Sequence, residues 1–255
     1  MDFLRRNIMR LYLICCMKKP RNEQEEGADI LGAAILQHYR ENSPCEITLF
    51  IDGEEEPPMS SAYFFRSESE MNDAECKALE LCQGRVLDVG AGAGCHALIL
   101  QQRGHEVVAL EKSASACEVL RARGVKEVIR ADVMHFSDGP FDTILLLMNG
   151  FGIGGNEQGL LAMLEHLKTL LAPGGKIIGD STDIRYFKDE PASLDLSQAH
   201  FSEVQFDVRM NGLHECFSWI YPDEVLLEVL AQEAGLQYRT RLHSDEFHFL
   251  GELYV

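Results

Sequence analysis

Hydrophobic and polar positions alternate between two periods along the chain from about residue 85 onward. Short apolar runs typical of buried strands occur at RVLDVG, HEVVALE, KEVIRAD, FDTILLLMN and KIIGDS, and stretches of helical period lie between them. FDTILLLMN is apolar enough to be buried on both faces, as strands of a parallel sheet are. Alternating strands and helices predict an α/β fold, a doubly wound parallel sheet with right-handed crossovers.

The pattern before residue 85 predicts a smaller unit. A helix is expected near residues 25–38 and a strand at CEITLFIDG. A break follows at GEEEPP, then an extended piece at SAYFFR and a helix at MNDAECKALELC. We interpret residues 25–83 as an N-terminal cap and residues 1–24 as a flexible leader. The leader only faintly resembles a signal peptide. The favoured explanation is a disordered leader, or an upstream start codon with Met17 as the true initiator.

The last third of the chain changes character. Two alternating segments, VQFDVRM and LHECFSWIY, flank Asn211-Gly212, a strong hairpin signal that sets Val204 opposite Trp219 and Phe206 opposite Phe217. A helix at PDEVLLEVLAQEAG and two final strands follow. We therefore expect residues 84–255 to form the main domain, interrupted by an insertion at about residues 190–221.

Composition and charge limit the function classes. A chain of 255 residues suits one domain with an insertion, or at most two domains. The net charge of −18 disfavours nucleic acid as a partner. No stretch reaches the ~20 apolar residues of a membrane span, so no membrane partner is expected. The eight cysteines form no CxxC pair, which predicts reduced thiols and a cytoplasmic location.

The first stretch with recognisable chemistry is RVLDVGAGAGCHALIL, with glycine at positions 90, 92 and 94. A dinucleotide-binding pattern would place its third glycine at position 95, which is Cys95 here. Asp88 would repel the pyrophosphate of such a cofactor and favour a ligand with an ammonium and a sulfonium, as in S-adenosylmethionine. The alternative is that Asp88 only accepts a loop amide.

Two more acids follow the next two strands. Glu111 lies 21 residues after Gly90, where a doubly wound fold places an acid on the ribose hydroxyls. Asp132 follows the third strand and is a candidate acceptor for an adenine amino group. Ordinary turn chemistry explains Asp132 equally well, and a solvated strand end is the alternative for Glu111. We expect Asp88 and Glu111 at strand ends that face a cleft.

The motifs LDVGAGAG, VVALEKS, IRADV, FDTILLLMNGFG and LLAPGGKII occur in this order between about residues 85 and 182. In this combination the chain resembles the class I S-adenosylmethionine-dependent methyltransferases. The resemblance implies a Rossmann-like, seven-stranded sheet with an antiparallel C-terminal hairpin, and S-adenosylmethionine as cofactor. It implies that Asp88 and the three glycines line the methionine moiety, that Glu111 holds the ribose, and that Asp132 and the Val133 amide contact adenine. The predicted cofactor-binding set also includes Ala91, Lys112 and Met148.

The acceptor side is less distinctive. Met148-Asn149-Gly150-Phe151 stands where methyltransferases acting on adenine or glutamine carry [D/N]-P-P-[F/Y], but both prolines are missing. That difference puts nucleobase or glutamine methylation in doubt. Asn149 and Asp180 are the candidate catalytic, acceptor-facing residues. Together with Asp183 they match a magnesium set only loosely, and no metal is predicted. His96 is expected to be a first-turn residue of its helix rather than a base, and His243 and His248 flank the last hairpin without ligand spacing.

These observations predict methyl transfer from S-adenosylmethionine to a small-molecule acceptor. The alternatives are a protein side-chain methyltransferase and a module that binds S-adenosylmethionine without catalysis. A nicotinamide oxidoreductase is disfavoured by Asp88 and Cys95. Neither the acceptor nor the oligomeric state can be derived from the sequence.

Overall fold

A computed structural model describes residues 28–184, 202–243 and 247–255. The predicted leader at residues 1–24 and the first part of the predicted insertion lie outside these ranges. The strands are β1 (Glu46–Ile51), β2 (Glu54–Ser60), β3 (Arg85–Val89), β4 (Glu106–Glu111), β5 (Glu127–Arg130), β6 (Phe141–Leu146), β7 (Leu171–Thr182), β8 (Glu203–Met210), β9 (Leu213–Ile220), β10 (Gln237–His243) and β11 (His248–Tyr254). The helices are α1 (Ile30–Glu41), α2 (Asp73–Leu81), α3 (Cys95–Gln102), α4 (Ala114–Ala122), α5 (Glu157–Thr169) and α6 (Glu224–Glu233).

The main sheet has seven strands in the order β10-β11-β7-β6-β3-β4-β5. Strands β3 to β7 pair in parallel, whereas β11 is antiparallel to both β7 and β10. The predicted Rossmann-like sheet with its antiparallel C-terminal hairpin is therefore confirmed. Strand order reverses between β3 and β6, and the crevice beyond their carboxyl ends is where ligands of doubly wound folds bind.

Helices cover both faces of this sheet. One hydrophobic cluster joins its strands to the leucine stripe of α5 and to α6, through residues such as Leu160, Leu164 and Leu230. A second cluster on the opposite face joins them to α2, α3 and α4 through Ala78, Leu100 and Leu120, among others. Apolar strands buried on both sides follow from this two-layer cover.

A second sheet, called the cap sheet below, contains four antiparallel strands in the order β2-β1-β8-β9. It unites the predicted N-terminal strand pair with the predicted insertion, because β1 pairs with β8 from Thr48↔Arg209 to Ile51↔Phe206. The hairpin register around Asn211-Gly212 is confirmed, with Val204 opposite Trp219 and Phe206 opposite Phe217. The two segments therefore build one structure, which was not expected from their sequences.

Two local predictions in the N-terminal unit are wrong. GEEEPP does not break the strand pair but forms most of β2, while SAYFFR is not extended, because Ser61–Phe65 is a 3₁₀ helix. Strand β2 is an edge of the cap sheet, and its pairing with β1 shifts register between Ile47↔Met59 and Leu49↔Glu56, where Pro57 and Pro58 lie. Proline, which has no N–H for the ladder, is tolerated at such an edge and irregularity. The side chain of Ser60 accepts the Ala62 amide and so caps the 3₁₀ helix.

Two further differences concern boundaries and packing. Strand β7 begins at Leu171, before the KIIGDS run in which the sequence indicated a strand. Helix α2, which the sequence analysis grouped with the cap, packs against the main sheet through Ala74, Ala78 and Leu79. Within the described part of the chain, no helix is long and apolar enough to cross a membrane.

Candidate active site

The glycine loop joins β3 to α3 at the point where strand order reverses. Gly90, Gly92 and Gly94 all have positive φ, at 71°, 54° and 84°, which glycine adopts without steric cost. The amide of Gly90 donates to the Leu110 carbonyl over 2.8 Å, so the loop is fixed to the end of β4. The result is a backbone surface that a ligand can approach closely.

The three glycines face different neighbours. A Cβ at Gly92 would lie 3.6 Å from Phe64, and one at Gly90 would lie 3.3 Å from Ile153. A Cβ at Gly94 would lie only 2.7 Å from Leu120 on α4. Gly94 therefore serves close packing of the helices, whereas Gly90 and Gly92 lie beside side chains of the covering segments.

Glu111 ends β4 directly beside this loop. Its Oε2 accepts the Gly92 amide and its Oε1 accepts the Ser113 amide, both over 2.9 Å. Burial raises the pKa of Glu111, while these two amide bonds oppose the rise. The carboxylate therefore lies at the predicted position and also holds the loop in shape, a structural role that the sequence did not indicate.

Asp88, at the end of β3, is more deeply buried than expected. Only 2% of the residue is exposed, and its Oδ2 has no hydrogen-bond partner among the described residues. Burial raises its pKa, while the charge of His96 and the Ala97 amide lower it. An unpartnered buried carboxylate oxygen at the glycine loop favours a cationic ligand group and disfavours a pyrophosphate.

The remaining predicted cofactor residues lie at the same edge of the sheet. Asp132 is exposed and caps the 3₁₀ helix Val133–His135, since its Oδ1 accepts the Met134 amide over 2.8 Å. Lys112 is exposed, and Val133 is buried. Asp132 thus makes a local turn hydrogen bond, as the alternative interpretation predicted, and its contact with adenine remains a prediction.

The two predicted catalytic residues are in contact. Both oxygens of the Asp180 carboxylate lie 3.1 Å from the Asn149 backbone nitrogen, which donates to them. Met148 and Asn149 adopt positive φ, at 63° and 57°, an uncommon conformation for two consecutive non-glycine residues. Asp180 is only 1% exposed, so this strained turn after β6 is fixed by a buried carboxylate of β7.

His248 was not expected at this site. Antiparallel pairing places it opposite Thr182, and its Nε2 lies 2.6 Å from Asp180 Oδ2. The Thr182 hydroxyl donates to Asn149 Oδ1 over 2.9 Å. The side chains of Asn149 and Asp180, which with Asp183 loosely matched a magnesium set, thus make hydrogen bonds to protein groups. The geometry adds no support for the magnesium hypothesis.

A buried charged network lies on the other side of the glycine loop. Arg66 donates two hydrogen bonds to Glu75, of 2.8 and 2.6 Å, and His96 Nε2 lies 2.8 Å from Glu75 Oε1. The side chains of Glu75 and His96 are 1% and 5% exposed. We call Arg66, Glu75 and His96 the buried triad. It connects the segment after the cap strands to the first turn of α3.

Within the buried triad, the surroundings favour the charged forms of both Glu75 and His96. Burial opposes ionisation of Glu75, but hydrogen bonds from His96 and Arg66 outweigh it and lower its pKa to about 2. Burial likewise disfavours the charged form of His96. Hydrogen bonds with Cys95 and Glu75, together with the charge of Asp88, nevertheless raise the pKa of His96 well above the ordinary value. Sequence analysis missed this network, and the only local signal was the Asn72-x-x-Glu75 capping box at the start of α2.

The cap sheet contacts the main domain at the glycine-rich run NGFGIGG. A Cβ on Gly152 would lie 1.8 Å from Trp219 Nε1, so the indole of β9 packs directly on this residue. A Cβ on Gly154 would lie 2.6 Å from the Leu160 Cα. The glycines of this run therefore permit docking of the cap and of α5.

Tyr63 extends the cover of the site. The Arg66 guanidinium lies 3.8 Å from the centroid of its ring. Burial raises the pKa of Tyr63, and the negative charges of Glu75 and Asp180 add to the rise against the opposing charge of Arg66. Tyr63 is 40% exposed, contacts the buried triad through Arg66 and is within range of the Asp180 charge.

Comparison with known proteins gives a consistent picture. A family model described as a methyltransferase domain matches residues 86–175. A crystal structure of a SAM-dependent methyltransferase from Bacteroides fragilis, in complex with S-adenosyl-L-homocysteine, superposes with a TM-score of 0.82. It is 34% identical, and the match covers 89% of this chain and 94% of that chain.

Curated relatives match over shorter segments. A protein-L-isoaspartate O-methyltransferase from Methylorubrum populi is 36% identical over 54% of this chain and 66% of its own length. A cypemycin N-terminal methyltransferase from a Streptomyces species is 28% identical over 40% of this chain and 44% of its own length. The chain thus spans less than two thirds of the length of these two relatives.

Proposed function

Because this chain belongs to the class I S-adenosylmethionine-dependent methyltransferases, we propose that it transfers a methyl group from S-adenosylmethionine to a small-molecule acceptor. The observation that carries the proposal is the glycine loop fixed by Glu111, with Gly92 and Ser113 amides on one carboxylate. The cofactor would supply a methyl group already activated by its sulfonium sulfur. The protein then has to bind, orient and cover the reactants.

The residues present fit this cofactor. Asp88 offers a buried oxygen without a partner among the described residues, suited to an ammonium group. Glu111 is suited to accept ribose hydroxyls at the end of β4. Asp132, Val133, Lys112 and Met148 lie along the same edge as candidates for the rest of the ligand. The acidic lining disfavours a nicotinamide dinucleotide, whose pyrophosphate would meet Asp88.

The acceptor would bind at the adjoining part of the edge, near Asn149, Asp180 and His248. The strained turn after β6 is held by Asp180, and the hydrogen-bonded Asp180–His248 pair can hold a proton released by the acceptor. From the N-terminal unit, Tyr63 is within range of the Asp180 charge, and Phe64 lies beside Gly92 of the glycine loop. A site covered by both the 3₁₀ helix Ser61–Phe65 and the docked cap sheet favours a small acceptor over an extended surface.

A protein acceptor is the second candidate. It is favoured by one observation, the 36% identity to a protein-L-isoaspartate O-methyltransferase. The Asp180–His248 pair would serve a carboxylate acceptor less directly, because a carboxylate has no proton to release at neutral pH.

Label transfer separates these candidates. The protein would be incubated with methyl-labelled S-adenosylmethionine and either a small-molecule extract or a protein extract, each depleted of the other. We expect label in an acid-soluble product that chromatography separates from unreacted S-adenosylmethionine, and a strong reduction of that product in Asp180→Asn. Asp142→Asn, an exposed change at the opposite end of β6, should match the unchanged protein. Label only in precipitated protein would support the second candidate, and binding without any transfer would indicate a non-catalytic module.

A further inference from the structure

A second cluster of reactive side chains lies on the outer face of the cap sheet, outside the proposed active site. Asp207 on β8 pairs directly with Cys216 on β9, and His214 lies two residues before Cys216 on the same strand. Residues two apart on a strand point to the same face. One ligand atom from each of these three side chains lies within 4.8 Å of the others.

The separations suit tetrahedral coordination. Bond lengths of zinc to nitrogen, oxygen and sulfur predict ligand pairs about 3.4 Å apart for N and O, and about 3.6 Å for N and S. Asp207 Oδ1 and His214 Nδ1 are 3.5 Å apart. Cys216 Sγ and His214 Nδ1 are 3.8 Å apart. Both distances are near the edges of a zinc tetrahedron, and the first is long for a hydrogen bond.

The Asp207 carboxylate is already oriented for this role. Arg209 donates from Nε and Nη2 to Oδ2, over 3.0 and 2.5 Å. Oδ1 is shielded from solvent and, among the described residues, makes no hydrogen bond of good geometry, since His214 Nδ1 lies 3.5 Å away. An outer partner that fixes one carboxylate oxygen while the other remains available is a common feature of metal sites.

We propose that Asp207, His214 and Cys216 form a zinc-binding site with an open fourth position. Carboxylate, imidazole and thiolate are all ligands of Zn²⁺, and a site with three protein ligands keeps one position for water or a further group. The other face of the same strands carries Phe206, Phe217 and Trp219, and Trp219 docks on Gly152. An ion at this site would therefore fix the hairpin that covers the proposed acceptor region.

Metal content and cobalt spectroscopy test the proposal on the full chain. Apo protein would be loaded with Zn²⁺, desalted and measured by elemental mass spectrometry, and Co²⁺ would report thiolate ligation through its near-ultraviolet charge-transfer band. We expect one retained equivalent of Zn²⁺ and a clear thiolate band. Cys216→Ser should abolish the band, and Asp207→Asn and His214→Gln should each weaken binding about tenfold or more.

Other thiols provide the controls. Cys76→Ser changes a partly exposed cysteine elsewhere, and a Cys15→Ser/Cys16→Ser double variant removes the adjacent pair near the N-terminus. Both should retain the ion and the band, and metal-free thermal unfolding verifies that every variant folds. No retained Zn²⁺ in the unchanged protein would overturn the proposal. A band that survives Cys216→Ser, or one lost only in the double variant, would do the same.

Discussion

The main sheet and the cap sheet are assembled in different ways. The glycine loop, Glu111 and Asp132 come from one continuous segment in which each strand is followed by the turn that bears the side chain. The cap sheet joins β1 and β2 to β8 and β9, which lie more than a hundred residues later in the chain. The residues proposed to bind the cofactor are thus brought together by their spacing within one segment of the chain. The cover of the proposed acceptor region depends instead on pairing between distant segments.

Two of the contacts between these regions involve deeply buried groups. The buried triad ties the segment after the cap strands to the glycine-loop helix, and Trp219 packs on Gly152 after β6. If the two regions are separate units, breaking either contact will have little effect. If they are coupled, the effects should follow from the burial and charge of the groups involved.

The largest expected effect is on folding stability, in Glu75→Ala. This change leaves Arg66 and His96 buried without their carboxylate, which we expect to cost about 3–5 kcal/mol in the free energy of unfolding. Glu80→Ala on the same helix removes a carboxylate whose side chain is 61% exposed and should cost less than about 1 kcal/mol. Urea unfolding measures both, and equal losses would show that the triad contributes no special stability.

The triad also predicts how stability depends on pH. Glu75 has a folded pKa of about 2 against 4.5, so its contribution is complete above pH 4.5 and is lost as pH falls toward 2. The difference corresponds to about 3 kcal/mol. The folded pKa of His96 is raised, so its contribution is complete below ~6.5 and is lost as pH rises through the folded value.

Unfolding of the unchanged protein and of Glu75→Gln across pH 2–9 provides the measurement. The difference between their free energies of unfolding should be largest at about pH 4.5–6.5 and should decrease at both lower and higher pH. A difference that stays constant with pH would mean that neither group changes its pKa on folding.

A smaller effect is expected where the cap sheet docks. A methyl group on Gly152 would overlap the Trp219 indole, so Gly152→Ala should cost about 1–3 kcal/mol. The same change in a Trp219→Ala background should cost much less, because the overlapping ring is gone. A double-mutant cycle in thermal or urea unfolding measures this coupling. Strict additivity would place Trp219 away from Gly152 in solution.

The sequence was sufficient for the features that local rules control. Alternating strand and helix periods predicted the main sheet, and Asn211-Gly212 predicted the pairing of β8 with β9. Strand-end positions brought Asp88 and Glu111 to the glycine loop. Each of these follows from residues close together in the chain.

Features that depend on tertiary contacts were missed. His248 reaches Asp180 only because β11 pairs with β7, and Arg66 meets His96 only when the cap segment folds over α3. Strand β2 forms although it contains two prolines, because it lies at a sheet edge. The docking of Trp219 on Gly152 likewise requires the whole cap sheet, so the acceptor side was described least completely.

Calorimetric titration of Glu111→Ala tests most directly the central claim, that the glycine loop held by Glu111 binds S-adenosylmethionine. The carboxylate would make two charge-assisted hydrogen bonds to ribose, worth roughly 1.5–3 kcal/mol each before water recovers part of that energy. We predict a loss of about 10–1000-fold in affinity. Glu106→Ala, at the opposite, exposed end of β4, should bind as the unchanged protein does, and NADH should not bind. Unchanged affinity in Glu111→Ala, or tight binding of NADH, would contradict the account.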